Sequence, residues 1–169
     1  AEVEDTSQDD RRSVDKTWKR PFFTIWTGQA LSLFGSALVQ FALVWWLTLE
    51  TGSATVLAVA MMAAIVPQVV FGPFAGALVD RLNRKMVMIR ADAGIALATL
   101  VLAVLFWQDS VEVWHVMVVL LARSVGGAFH WPAFTASTSL MVPKDQLARV
   151  NGMNQSIAGL SGIGAPALG

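Results

Sequence analysis

The chain has 169 residues, of which 55% are apolar and only 14% charged, against about 45–50% and about 25% in an ordinary soluble domain. Twelve Lys and Arg balance twelve Asp and Glu, and there is no Cys. The balance leaves no basic surplus to follow a nucleic-acid backbone, and the missing thiols exclude a disulfide framework and a thiolate metal site. His115 and His130 are too far apart to be adjacent ligands on one helix, so neither a metal nor a cofactor is expected.

Residues 1–20 are rich in Asp, Glu, Ser and Gln over their first fifteen positions, too polar to bury a core, and read as a disordered cytoplasmic tail. Beyond it, residues 21–49 and 51–79 are two stretches of 29 residues without a charge, where about 20 apolar residues suffice to cross a bilayer. Five membrane spans are expected, at about 22–49, 54–79, 86–107, 113–134 and 150–169. The first is too long for a signal-peptide core and has no small-residue cleavage site after it. The chain starts without Met and ends inside an apolar run, so the reading expects 21–169 to be part of a longer protein.

Positive loops stay on the cytoplasmic side. Arg11, Arg12, Lys16, Lys19 and Arg20 precede the first span, Arg81, Arg84 and Lys85 follow the second, and Lys144 and Arg149 follow the fourth. The connections at Glu50 and at Asp109 to Glu112 carry no Lys or Arg, so the N-terminus is expected in the cytoplasm. Trp18, Trp26 and Trp131 fall near expected cytoplasmic ends, and Trp45, Trp46, Trp107 and Trp114 near outer ends, where indole rings favour the interface.

On the first span Gln29, Ser32, Ser36 and Gln40 lie within one narrow stripe at about 100° per residue. Such a stripe serves either interhelical hydrogen bonding or the wall of a solvated substrate cavity. The second span runs through Gly72 and Gly76, expected to permit close packing, into Asp80, Arg81, Asn83, Arg84 and Lys85. Asn83 there suits the left-handed backbone of a tight turn. On the third span Asp92 is the one carboxylate inside any span, a candidate charge partner or proton-binding group. Arg90, two residues earlier, points to another face and reads as snorkelling.

Arg123 lies ten residues into the fourth span, about 15 Å deep, where a charge costs at least about 2.5–3.5 kcal/mol. It is expected to face a bundle interior or a cavity. His130 shares the face of Arg123 and Gly127 and reads as a structural hydrogen-bonding residue, whereas His115 reads as interfacial. In the fifth span Asn151, Asn154, Gln155, Gly159, Gly162 and Pro166 share one face, opposite Met153, Ile157 and Leu160. The bulky face suits lipid and the small face suits another helix.

The stretch from Gly76 to Lys85 resembles the loop signature of the major facilitator superfamily, Gly-x-Leu-x-Asp-Arg-x-Gly-Arg-Lys, with Asn83 in the place of the second Gly. In that family the Asp and Arg residues form a cytoplasmic charge network that governs closure, a role the resemblance carries to Asp80, Arg81 and Arg84. Arg123 followed by Gly127 resembles the motif of its proton-coupled members, with Gly126 where Gln is common. Gly162 to Gly169, with Ala165 and Pro166, resembles the antiporter signature Gly-Pro-x-x-Gly.

Within the superfamily the chain is most similar to macrolide-efflux members of the drug:proton antiporter group. The residues that carry this are 25–30, 47–54, 71–73, 123–133 and 140–147. The implied fold is an all-α polytopic membrane protein of twelve helices in two halves, of which this chain holds the first five. The resemblance implies a transporter in a bacterial plasma membrane that exports small amphipathic drugs in exchange for protons by alternating access. Its partners are the lipid bilayer, substrate, protons and the missing C-terminal half. A siderophore exporter or other transporter of the same fold stays open, as does a non-transporting membrane module. No charge ring marks a channel, no phosphate loop marks an ATP-driven pump, and no nucleophile, base and orienter occur together as in an enzyme.

Overall fold

The computed structural model describes residues 18–168, and they form five long helices: α1 (Lys19–Thr51), α2 (Ala54–Val79), α3 (Arg84–Trp107), α4 (Val113–Met141) and α5 (Leu147–Leu168). A single 3-10 turn, Lys144–Gln146, precedes α5. The tail expected over 1–20 lies outside the described residues up to residue 17, and Lys19 and Arg20 belong to α1. No strand occurs among the described residues.

The helix boundaries have local causes. Gly52, at φ 55°, ends α1 with its N–H on the Thr48 carbonyl at 3.0 Å, a left-handed stop that glycine adopts without steric cost. Ser53 then caps α2, its Oγ accepting the Val56 N–H at 3.4 Å. Asn83 caps α3 in the same way, its Oδ1 accepting the Met86 N–H at 3.3 Å. Its backbone is extended, at φ −69° and ψ 104°, so the expected left-handed turn is corrected: the side chain satisfies an orphan helix donor instead. At the start of α4 the imidazole Nδ1 of His115 accepts the Glu112 N–H at 3.0 Å, and the Glu112 carboxylate accepts from the Trp114 indole at 2.8 Å.

Pro67 and Pro73 lie inside α2 and Pro132 inside α4, tolerated where neighbouring groups take up the freed carbonyls. The fourth span, expected to stop near 134, continues past Pro132 to Met141, and Thr135 Oγ1 donates back to the carbonyls of Trp131 and Pro132, both at 3.1 Å.

Four helices among the described residues, α1 to α4, are long and apolar enough to cross a membrane. The 22 residues of α5 reach about 33 Å, but Arg149, Asn151, Asn154 and Gln155 dilute its apolar character. The outward surface is apolar, with Leu31, Phe74, Leu140 and Ile163 all strongly exposed, as expected where the surrounding solvent is lipid.

The described residues divide into two compact units, one taking 18–39 with 138–168 and the other 40–137. In the first, Phe22, Val142 and Val150 are buried, with Trp18, Trp26, Met141, Leu147 and Met153 packed against them. The Trp26 indole donates to Asn154 Oδ1 at 3.1 Å. In the second, Leu43, Leu47, Ala60, Leu102, Val116, Leu120 and Phe134 are buried. The most apolar window of α4 is 39% buried, against 6–11% for α1 to α3, which makes α4 the best-enclosed of the four.

Candidate functional site

The second unit places three of the expected site residues, Arg84, Asp92 and Arg123, along the contact of α3 with α4. The chain reverses between them, so the helices run antiparallel, and paired positions recur from one end to the other. Arg84 Nη1 donates to the Ala136 carbonyl at 3.2 Å, and the Ser137 hydroxyl lies 3.9 Å from Met88 Sδ. Next His130 Nε2 stands 3.3 Å from Asp92 Oδ1, then Gly126 lies against Ile95, and finally Arg123 Nη1 donates to Thr99 Oγ1 at 2.9 Å. Met88, Asp92, Ile95 and Thr99 follow one another at intervals of four, three and four, and Arg123, Gly126, His130 and Ser137 at three, four and seven. That is the seam of a heptad-like helix pair.

Two members of the seam explain their neighbours. A Cβ on Gly126 would stand 2.7 Å from Ile95 Cγ1 and 2.8 Å from its Cδ1, so the Gln common at this position in related motifs has no room while Ile95 keeps this conformation. The Thr99 hydroxyl receives from Arg123 and donates to the Ile95 carbonyl at 2.8 Å, which uses both of its capacities. Arg123, half-buried, is thus held by a neutral hydroxyl, while Asp92 meets His130. The imidazole of His130 is almost fully enclosed, with the Phe134 ring stacked at 6.4 Å and 13°. Asp92 is half exposed, its side chain at 52%.

Three polar residues at the site escaped sequence reasoning. Thr99 is one of many Thr and carries no signal. Ser124 Oγ donates to the Ala64 carbonyl of α2 at 2.6 Å, and Gln68 Nε2 reaches the same oxygen at 3.3 Å. A signal for Gln68 existed, since it and Thr55 are the only polar side chains of α2. Gln68 Nε2 also lies 3.9 Å from where a Cβ of Gly127 would stand.

At the turn between α2 and α3, Arg84 Nη2 donates to Asp80 Oδ1 at 3.3 Å while its other terminal nitrogen holds α4. An exposed pair four residues apart is worth about 0–1 kcal/mol, so this latch is easily broken. Arg81 and Lys85 are exposed. The close packing expected at Gly72 and Gly76 is not present among the described residues: nothing lies within 4 Å of a Cβ at either position, nor at Gly159 or Gly162. Those small faces are open. Gly164 is the exception in α5, with Phe34 Cε2 3.2 Å away.

In the first unit Gln29 and Ser36 are half-buried and Ser32 exposed, and Gln40, at the start of the second unit, is half-buried. The expected polar cluster at the start of α5 is divided, with Asn154 buried on Trp26 and Asn151 and Gln155 exposed. Pro166 lies within α5.

Long apolar helices joined by tight turns, with a charged latch at one turn and a carboxylate–imidazole contact inside the helices, define a polytopic helical membrane protein. The sequence profile of the Major Facilitator Superfamily matches residues 25–169, and the chain belongs to that superfamily. It is 48% identical over 151 residues to macrolide efflux protein A of Streptococcus pyogenes, covering 89% of this chain and 37% of that protein. A macrolide efflux protein A of Enterococcus faecalis is 46% identical over 117 residues, 69% of this chain and 36% of the relative. An uncharacterized transporter of the superfamily from Bacillus subtilis is 23% identical over 154 residues, 91% of this chain and 36% of the relative. The chain therefore spans little more than a third of the length of these relatives. No solved structure matches it significantly.

Proposed function

We propose that this sequence belongs to a secondary transporter that exports amphipathic drugs such as macrolides in exchange for protons by alternating access. The observation that carries the reading is the 48% identity, over 89% of the chain, to a protein named for macrolide efflux. The substrate sits near the bilayer midplane between two helical halves, and Gln29, Ser32, Ser36, Gln40 and Gly127 are each candidates to contact it. The N-terminus is cytoplasmic, on the side of the basic turn at Arg84 and Lys85. Asp80 and Arg84 form a weak latch that opens and closes at little cost, and Arg81 and Lys85 add to its charge. Arg123 and Asp92 carry the coupling charges inside the helices.

The test uses the complete open reading frame that encodes this sequence, expressed in a drug-sensitive bacterium. Energised cells export labelled macrolide faster than vector controls, and a protonophore abolishes the difference. Efflux that survives the protonophore refutes proton coupling, and the absence of macrolide efflux refutes the substrate.

A further inference from the structure

His130 stands on the seam between Asp92 and the Phe134 ring, 6% exposed, in a helix long and apolar enough to cross a membrane. An ionised carboxylate only accepts hydrogen bonds, and an imidazole nitrogen without hydrogen only accepts. At 3.3 Å, Asp92 Oδ1 and His130 Nε2 are close enough for a proton on the imidazole to bridge them. We infer that His130 is a proton-binding residue of the transporter and shares its proton with Asp92 across α3 and α4. This rests on the proton-coupled reading above and deepens it, because the family motifs point to Arg123 and leave His130 without a role.

The charge balance gives the mechanism. With imidazolium facing carboxylate the pair is neutral, the cheapest form inside a membrane, and α3 is clamped to α4. Loss of one proton from the imidazolium leaves the pair with one negative charge. When the remaining imidazole hydrogen sits on Nδ1, two acceptors face each other and the clamp opens. The proton passes by way of Asp92, since its carboxylate is half exposed while the imidazole is enclosed. Binding or release of one proton thus changes both the charge and the helix contact, which is what a coupling site needs.

Few other charges enter the balance in this unit. From α2 there is no titratable side chain between 54 and 79, and from residues 40–51 of α1 only Glu50 at the far end. From α3, Arg90 lies two residues before Asp92 and Arg84 and Lys85 stand at the helix start; from α4, Arg123 is two turns away on Thr99. Arg123, seven residues from His130 on the same seam, is the positive charge placed to offset the deprotonated pair.

The experiment measures proton-driven macrolide transport in inverted vesicles carrying the complete protein, from pH about 5.5 to about 8, the range in which histidine changes charge. The expected wild-type rate changes by about fivefold or more across it, as befits one controlling titration. His130→Asn, which keeps a donor but cannot titrate, flattens the profile to less than about twofold, and Asp92→Asn does the same. The double variant is no worse than either single one, because the residues act as a unit. A His130→Asn profile that matches wild type at equal membrane level overturns the inference and leaves the transporter reading intact, whereas a wild type without protonophore-sensitive transport overturns both. A measurement without substitutions guards against misfolded variants: histidine-ring nitrogen NMR of the wild type in lipid discs, with and without erythromycin. The drug is expected to move the His130 titration midpoint, and a midpoint that does not move refutes the coupling role.

Discussion

Replacing Gly126 by Ala puts one methyl into the tightest contact of the α3–α4 seam. The new Cβ would meet Ile95 Cγ1 at 2.7 Å and Cδ1 at 2.8 Å, both well inside the about 3.5–4.0 Å at which carbon atoms attract. Because Cγ1 is near the base of the Ile side chain, a change of its outer rotamer relieves only one of the two clashes. Overpacking of this kind costs about 1–3 kcal/mol. In a soluble helix Ala would regain about 1 kcal/mol of helix propensity over Gly. In a bilayer the helix persists even when it separates from its neighbour, so that gain drops out and the full clash remains. Ile95→Ala removes both clashing atoms, and since Ile95 is only half-buried it costs less than the about 2–5 kcal/mol of a fully enclosed Ile. The assay is thermal unfolding of the complete protein in detergent, followed by the loss of its monodisperse chromatographic peak, for wild type, both single variants and the double. The double variant is expected to be more stable than the sum of the singles by about 1 kcal/mol or more. Strict additivity would show that Gly126 and Ile95 do not touch.

The other contacts make similarly definite claims. Trp26→Phe removes the donor to Asn154 Oδ1, on a side chain 3% exposed whose Nδ2 already has no hydrogen-bond partner among the described residues. It is expected to cost about 1–3 kcal/mol, mostly recovered by adding Asn154→Leu, and thermal melts that show no recovery would refute the pairing. Asp80→Ala breaks the exposed pair with Arg84 and changes stability by less than about 1 kcal/mol while lowering efflux. A stability loss well above that would mean the latch is structural rather than a gate. Arg123→Ala is expected to abolish protonophore-sensitive efflux at equal membrane level, and Thr99→Ala to weaken it. Unchanged transport in Arg123→Ala sinks the role assigned to that charge.

Four of the five expected spans correspond to helices long and apolar enough to cross a membrane, legible because a bilayer demands long charge-free stretches and a 29-residue gap between charges admits little else. The turn at Asp80 to Lys85 was legible for the same reason in reverse, as polar residues packed between two such stretches. Partners were harder to read. Asp92 and Arg123 are the two charges deep in helices α3 and α4, and pairing opposite signs is the natural guess, yet the antiparallel course of the helices sets Asp92 level with His130 and Arg123 level with Thr99. Sequence periodicity gives the face of a helix but not its height against a neighbour, and height decides which partners meet. The small residues of α2 and α5 mislead for a related reason: glycine permits close approach without supplying the neighbour, and no neighbouring helix comes within 4 Å of where a Cβ would stand on Gly72, Gly76, Gly159 or Gly162 among the described residues. Asn83 shows a third limit, since the same residue type serves a left-handed turn and a helix cap, and only the backbone angles separate the two.

The stops at Gly52 and at Asp109, the latter at φ 49°, leave very little chain between helices on the side away from Arg84. Two residues, 52 and 53, join α1 to α2, and five, 108–112, join α3 to α4. To an antibody, a protease or an impermeant labelling reagent approaching that side, this part of the protein offers almost nothing to grip. On the orientation proposed above, detection of the intact protein on living cells is best sought through an affinity tag inserted at 109–110, because a tag between α1 and α2 would have to displace the glycine that ends one helix or the serine that caps the next.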